Sequence, residues 1–181
     1  MIDFRTLEAH EIEVRAAHVG SKGVSLLLYK DARCDMRILD ETVGPSNWQK
    51  RYYERKGTLF CSVGIRIGRK REDGTLDYCE WVWKDDAGEP SNTRAQKGEA
   101  SDAFKRACFA WGIGRELYTA PFIFVKPEHA NIRKDGQRFK CNDRFRVAKI
   151  AIENGVIDGV RIMNDSKGGE VAFSWARHRN S

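Results

Sequence analysis

No run in this 181-residue sequence approaches the roughly 18 apolar residues that a membrane-spanning helix needs. The opening "MIDFRTLEAHE" is too acidic and too poor in apolar residues for a secretory signal. No CxxC and no Cys/His ligand spacing occurs, and the five cysteines (Cys34, Cys61, Cys79, Cys108, Cys141) are odd in number and far apart. That argues against zinc and for a reducing, cytoplasmic compartment. The four histidines (His10, His18, His129, His178) are scattered, and no Ser or Cys sits in a GxSxG elbow. Trp111-Gly112-Ile113-Gly114 is too short for GxGxxG, and there is no GxxxxGK loop for a nucleotide. No cofactor or metal is expected, and any work on DNA runs without ATP. Repeats and low-complexity tracts are absent as well.

What is present is a globular composition, 41% hydrophobic and 32% charged. The net charge of +6 is unevenly spread: residues 1–90 hold 15 Lys+Arg against 16 Asp+Glu, residues 91–181 hold 17 against 10. Within the first half, Asn47 to Arg71 carries eight cations against the single Glu54. Clustered positive charge of this kind suits a polyanion, usually nucleic acid, although a solvated basic surface explains it as well.

Residues 2–10 suggest a short helix or a loose arm. Alternation in Ile12, Val14 and Ala16, a break at "GSKG", and resumption over Val24 to Tyr29 predict a β-hairpin. "DARCDMRILDETVG" has helical spacing in Met36, Leu39 and Val43, and Gly44-Pro45 stops it. Leu59, Cys61, Val63, Ile65 and Ile67 alternate as a strand, with Phe60, Ser62, Gly64 and Arg66 on its other face. "GRKREDG" is a turn, Leu76 to Lys84 a partner strand, and Trp48 to Arg55 a third. A long helix follows, with Thr93 and Gln96 as a capping box and Gly112 as its end. Then come a short apolar segment, "PFIFV", and a basic loop from Lys126 to Lys140. "RFRVAKIAIE", Asn154-Gly155 and "VIDGVRIM" form a second hairpin, and "EVAFSW" suits one further strand.

The long helix poses the functional question. Ala100, Ala103, Phe104, Ala107, Cys108 and Trp111 fall on one apolar stripe that suffices for packing against a sheet. The opposite side nonetheless carries Lys105, Arg106 and a second large aromatic, Phe109. Two explanations stand side by side. Lys105 and Arg106 neutralise phosphates while Phe109 stacks on a base or sugar, or Asp102 pairs with the cations and Phe109 packs on a neighbouring subunit or on the C-terminal hairpin. The other candidate contacts are Lys50, Arg51, Arg55 and Arg66 on the strands. Arg69, Lys70 and Arg71 form a hairpin tip that is either solvated or touches DNA. Trp48, Trp81, Trp83 and Trp111 are most simply core residues, and Tyr52 or Tyr53 faces the DNA. Glu80, Lys84 and Asp85 imitate a metal-dependent nuclease site, but a strand end entering an acidic turn is the simpler account.

"DARCDMRILDETVGPSNWQ", "GTLFCSVGIRI", "YCEWVWKDDAG" and above all "KGEASDAFKRACFAWGIGRELY" resemble the Rad52 superfamily of single-strand annealing proteins, and within it the phage-encoded branch. The resemblance runs from about Val24 to Val125. It implies a β-β-β-α core, a homo-oligomeric ring, and a positive outer groove that holds single-stranded DNA by its backbone with the bases outward. By position Lys105 and Arg106 match the family's backbone-binding pair, and Arg33 lies close to another basic contact. Phe109 stands where the eukaryotic members carry a further arginine. Lys97, upstream of Asp102 in the same motif, and Arg115, beyond its closing glycine, complete the candidate set.

The expectation is an α+β protein: an antiparallel β-β-β-α core with a long helix across the sheet, flanked by an N-terminal and a C-terminal β-hairpin. Residues 1–125 form the annealing core, and 126–181 a basic loop and hairpin extension packed on it. The expected function is not enzymatic: ATP-independent binding and annealing of single-stranded DNA in recombination and repair, in the bacterial host cell of a phage or prophage. A host single-strand-binding protein is a plausible partner. The alternatives are a nucleic-acid-binding module without annealing activity and, third, a metal-dependent nuclease.

Overall fold

A computed structural model describes residues 2–89 and 95–177, with the backbone alone for residues 69, 70, 76, 78, 79 and 95–97. The chain is α+β, its strands paired antiparallel, with two α-helices among the described residues. It divides into two compact units, Met1–Arg5 with Asp31–Ile113, and Thr6–Lys30 with Gly114–Ser181.

The first unit holds α1 (Ala32–Val43), β3 (Trp48–Arg55), β4 (Thr58–Lys70), β5 (Leu76–Ala87) and α2 (Ala95–Trp111). Asp31 caps α1 by accepting from Cys34 N at 2.8 Å, and Gly44, at φ 84°, ends it. β3, β4 and β5 form a three-stranded sheet in that order. Register fixes its faces: Lys50, Val63 and Lys84 are mutual partners, as are Tyr52, Cys61 and Asp86. Those residues face α2, which packs on β4 and β5.

The alternation of β4 explains the packing, since Cys61, Val63 and Ile65 are fully buried. Ala103, Phe104, Ala107 and Cys108 of α2, four of the six residues in the predicted apolar stripe, are buried as well, while Ala100 and Trp111 are half-buried. Small residues there let the helix lie close to the strands. Its end is a Schellman motif, with Gly112 N donating to Phe109 O at 3.0 Å and Ile113 N to Cys108 O at 3.2 Å. Gly112 takes φ 113°, which only glycine accepts readily. Lys84 Nζ donates to Ala110 O at 3.0 Å, satisfying a carbonyl at the negative end of the helix dipole. The capping box expected at Thr93 and Gln96 lies outside the described residues.

In the second unit, β1 (Glu13–Gly20), β2 (Gly23–Tyr29), β6 (Ile123–Val125), β9 (Phe145–Glu153), β10 (Val156–Asn164) and β11 (Glu170–Ala176) build one sheet, ordered β11-β10-β9-β1-β2-β6. β1 joins β9 through the single pair Glu13 and Arg146, so the N-terminal and C-terminal hairpins share a sheet. Asn154 and Gly155 both take positive φ, as the hairpin turn requires. The segment expected to be a basic loop is ordered differently. Pro127–His129 is a single 3-10 turn, and β7 (Ile132–Asp135) pairs with β8 (Arg138–Cys141) as a two-stranded hairpin. Among the described residues no helix precedes the short 3-10 turn at Ala9–Glu11. Among the described residues no helix is long and apolar enough to cross a membrane.

Candidate nucleic-acid interface

The outward side of α2 is the first candidate. Lys105 and Arg106 emerge beside each other, their side chains 27% and 42% exposed. The acidic partner of Arg106 is Asp86 on β5, 3.5 Å from Nε, rather than the expected Asp102. Asp102 is instead 3.9 Å from Lys105 Nζ and accepts from Glu89 N at 3.2 Å. Neither pair is tight, and Arg106 Nε, itself buried, finds no hydrogen-bond acceptor among the described residues. Surface pairs of this looseness contribute about 0–1 kcal/mol. Phe109 lies half-buried on the same outward stripe, one turn on from Lys105 and Arg106.

The strand cations separate into two sets because β-strand side chains alternate. Lys50 lies on the α2 side, its Nζ 4.5 Å from the Phe104 ring centroid and 5.9 Å from that of Tyr52. Burial, with the Cys61 thiol beside it, pushes the Tyr52 phenol up to about 12. Burial also raises that thiol to about 11, so it behaves as an inert core group.

Arg51, Arg55 and Arg66 occupy the other face of the sheet and are exposed. Around them stand Tyr53, Phe60, Trp81 and Trp83, in the registers Arg51–Ser62–Asp85, Gln49–Gly64–Trp83 and Arg66–Trp81. The Arg51 guanidinium sits 4.1 Å from the Trp83 ring centroid. Tyr53 stacks on Phe60 at 5.3 Å and donates from its hydroxyl to Asp85 Oδ2 at 2.7 Å. That bond, ahead of a small burial contribution, holds the Tyr53 phenol above its usual value. Two of the four tryptophans expected in the core, Trp81 and Trp83, therefore stand on the face away from α2, with Trp81 36% exposed. Trp111 does tie helix to sheet, donating from Nε1 to Val63 O at 2.9 Å. Trp48 binds Asp40 Oδ1 of α1 at 2.6 Å.

The remaining candidates lie elsewhere. Arg33 projects from α1 with its side chain 88% exposed, 3.8 Å from Asp31. Arg71 pairs with Asp77 at 3.2 Å, while the Arg69 and Lys70 side chains lie outside the described residues. Lys97 belongs to α2, and its side chain is likewise outside them. Arg115 is exposed in the second unit. The structure thus unites Lys105, Arg106 and Phe109 on the helix layer of the first unit and Arg51, Arg55 and Arg66 on the far face of its sheet layer. The nuclease trio does not meet: Glu80 and Lys84 face α2, whereas Asp85 faces away. Sequence reasoning missed the aromatic lining of the outer sheet face. Its signal was the pairing of small residues, Ser62 and Gly64, with the tryptophan-rich β5.

A family model for the Rad52/22 family double-strand break repair protein matches residues 5–135. No curated protein matches the chain significantly.

Proposed function

The chain belongs to the Rad52/22 family of double-strand break repair proteins, and from that premise we propose that it binds single-stranded DNA and anneals complementary strands without ATP. Pairing is downhill by a mean of about 1.4 kcal/mol per base-pair step, so annealing needs no fuel. It needs strands extended, internal hairpins opened and phosphate repulsion reduced. A basic ridge does this by holding the backbone, and repetition of the ridge around a homo-oligomeric ring makes the hold continuous through avidity. The reading is of a non-enzymatic recombination mediator of the phage-encoded branch, acting beside a host single-strand-binding protein.

One observation carries the proposal: Lys105 and Arg106 stand together on the side of α2 away from its buried stripe, and among the described residues their acidic partners are the loose pairs with Asp102 and Asp86. Each phosphate neutralised on a single strand adds about −0.7 to the slope of log affinity against log salt. Lys105→Ala with Arg106→Ala should lower affinity for an oligonucleotide and flatten that slope by about 1.4. Fluorescence anisotropy across a salt series measures both. An unchanged slope removes the ridge from the interface. Mixing labelled complementary strands without nucleotide tests annealing itself, since a module that only binds leaves the pairing rate unaltered.

A further inference from the structure

An antiparallel sheet with one face on a helix ordinarily turns a polar face to water. The β3–β5 sheet turns a mixed one, arginines set among aromatic rings. Opposite α2 it carries Tyr53, Phe60, Trp81 and Trp83, of which Tyr53 and Trp81 are exposed. The arrangement is built rather than incidental. Gly64 leaves the centre of β4 without a side chain, and the Trp83 ring lies flat across the gap, where an added Cβ would stand 2.7 Å from it. Arg51 covers that ring from β3, and Trp81 stacks beside it at 6.1 Å. Arg51, Arg55 and Arg66 stand among the rings, with Asp85 as the one acidic residue in these registers.

We propose that this face is a second surface for single-stranded DNA, one that holds bases by stacking where the α2 ridge holds phosphates. The proposal rests on the annealing reading and deepens it. Flat rings interleaved with cations are what binds single strands without sequence preference, because every base offers a π-face and every nucleotide a phosphate. Charge selects this occupant over a second copy seated face to face, which would set arginines against arginines. Stacking also occupies only the plane of a base. Its pairing edge stays open, so a strand held here remains legible to a complement.

The test uses the full chain, a labelled thymidine oligonucleotide of about twenty residues, and an abasic chain of equal length. Thymidine binding should quench the intrinsic tryptophan fluorescence. Trp81→Ala should weaken that binding about tenfold, the size of one stacked base, with the salt slope unchanged. Trp81→Phe, which keeps a π-face, should recover most of the affinity. On the abasic chain the native protein and Trp81→Ala should bind alike. Native affinity for thymidine in Trp81→Ala overturns the inference while leaving the annealing reading intact. A loss that is equal on the abasic chain overturns it too, since that reports general damage. So does a loss that sedimentation traces to broken self-association, which would make the face a subunit contact. Should the native chain ignore the oligonucleotide altogether, the annealing reading fails first and this inference with it.

Discussion

The carboxylate of Asp143 accepts from Asn131 N at 2.7 Å, Asn131 Nδ2 at 2.9 Å and Asn164 Nδ2 at 2.7 Å. Asn164 is fully buried and also donates to His129 O at 2.9 Å, so one carboxylate ties the end of β10 to the segments flanking the β7–β8 hairpin. Burial alone would raise the Asp143 carboxyl, but these hydrogen bonds outweigh it and hold the group below the usual carboxylate range. A depressed native value stabilises the fold above the unfolded value of about 3.9 and ceases to do so as pH falls through the native one. Asp143→Ala leaves the buried Asn164 amide a partner short, at a cost of about 1–3 kcal/mol. Urea unfolding should place the variant below the native chain by that amount at pH 7. The gap should narrow as both are taken below about pH 4, where the charge-dependent part of it is lost. A gap independent of pH would mean that packing, not the carboxylate charge, sets the difference.

At the scale of elements, the closeness of α2 to its sheet is the feature most exposed to test. Ala103 and Ala107 are fully buried against Cys61, Val63 and Ile65. Ala107→Leu adds volume with nowhere to go and should destabilise by about 1–3 kcal/mol, read as a lower urea midpoint with an unchanged slope. Native-like stability would show that the helix stands off further than these side chains imply. This contact was legible from sequence because a 3.6-residue stripe on α2 faces a two-residue alternation on β4, and both are local patterns. α1 was legible for a similar reason, with Asp31 and Gly44 marking its ends, and Asn154-Gly155 marked the β9–β10 hairpin. The β7–β8 hairpin was not, since its four-residue strands are too short and too charged to alternate visibly. Nor was the union of the two hairpins in one sheet, which depends on pairing Glu13 with Arg146 across more than a hundred residues. The candidate site was half legible. Alternation told that Arg66 opposes Ile65 and Ile67, but aromatics on both sides of β3–β5 concealed which face the helix covers. Trp81 and Trp83, core residues on the simplest reading of the sequence, stand on the face away from α2.

For the molecule as a whole, charge and candidate contacts do not coincide. The first unit, with the α2 ridge and the aromatic sheet face, holds 16 Lys+Arg against 15 Asp+Glu. The second holds 16 against 11, so most of the excess lies there. Its densest part is the β7–β8 hairpin, where Arg133 and Lys140 are direct cross-strand partners. Like charges so placed repel, an effect offset by the ion pair of Lys140 with Asp135. Such a cluster acts on a polyanion at a distance, raising the rate of encounter more than the lifetime of the complex. Arg133→Gln with Arg138→Gln should therefore slow association with a thymidine oligonucleotide severalfold at about 0.05 M salt, as stopped-flow mixing would record, and leave dissociation unchanged. Near 1 M salt, where the screening length falls to about 3 Å, the association rates of variant and native chain should converge. A faster dissociation at either salt would instead make the hairpin part of the contact surface itself.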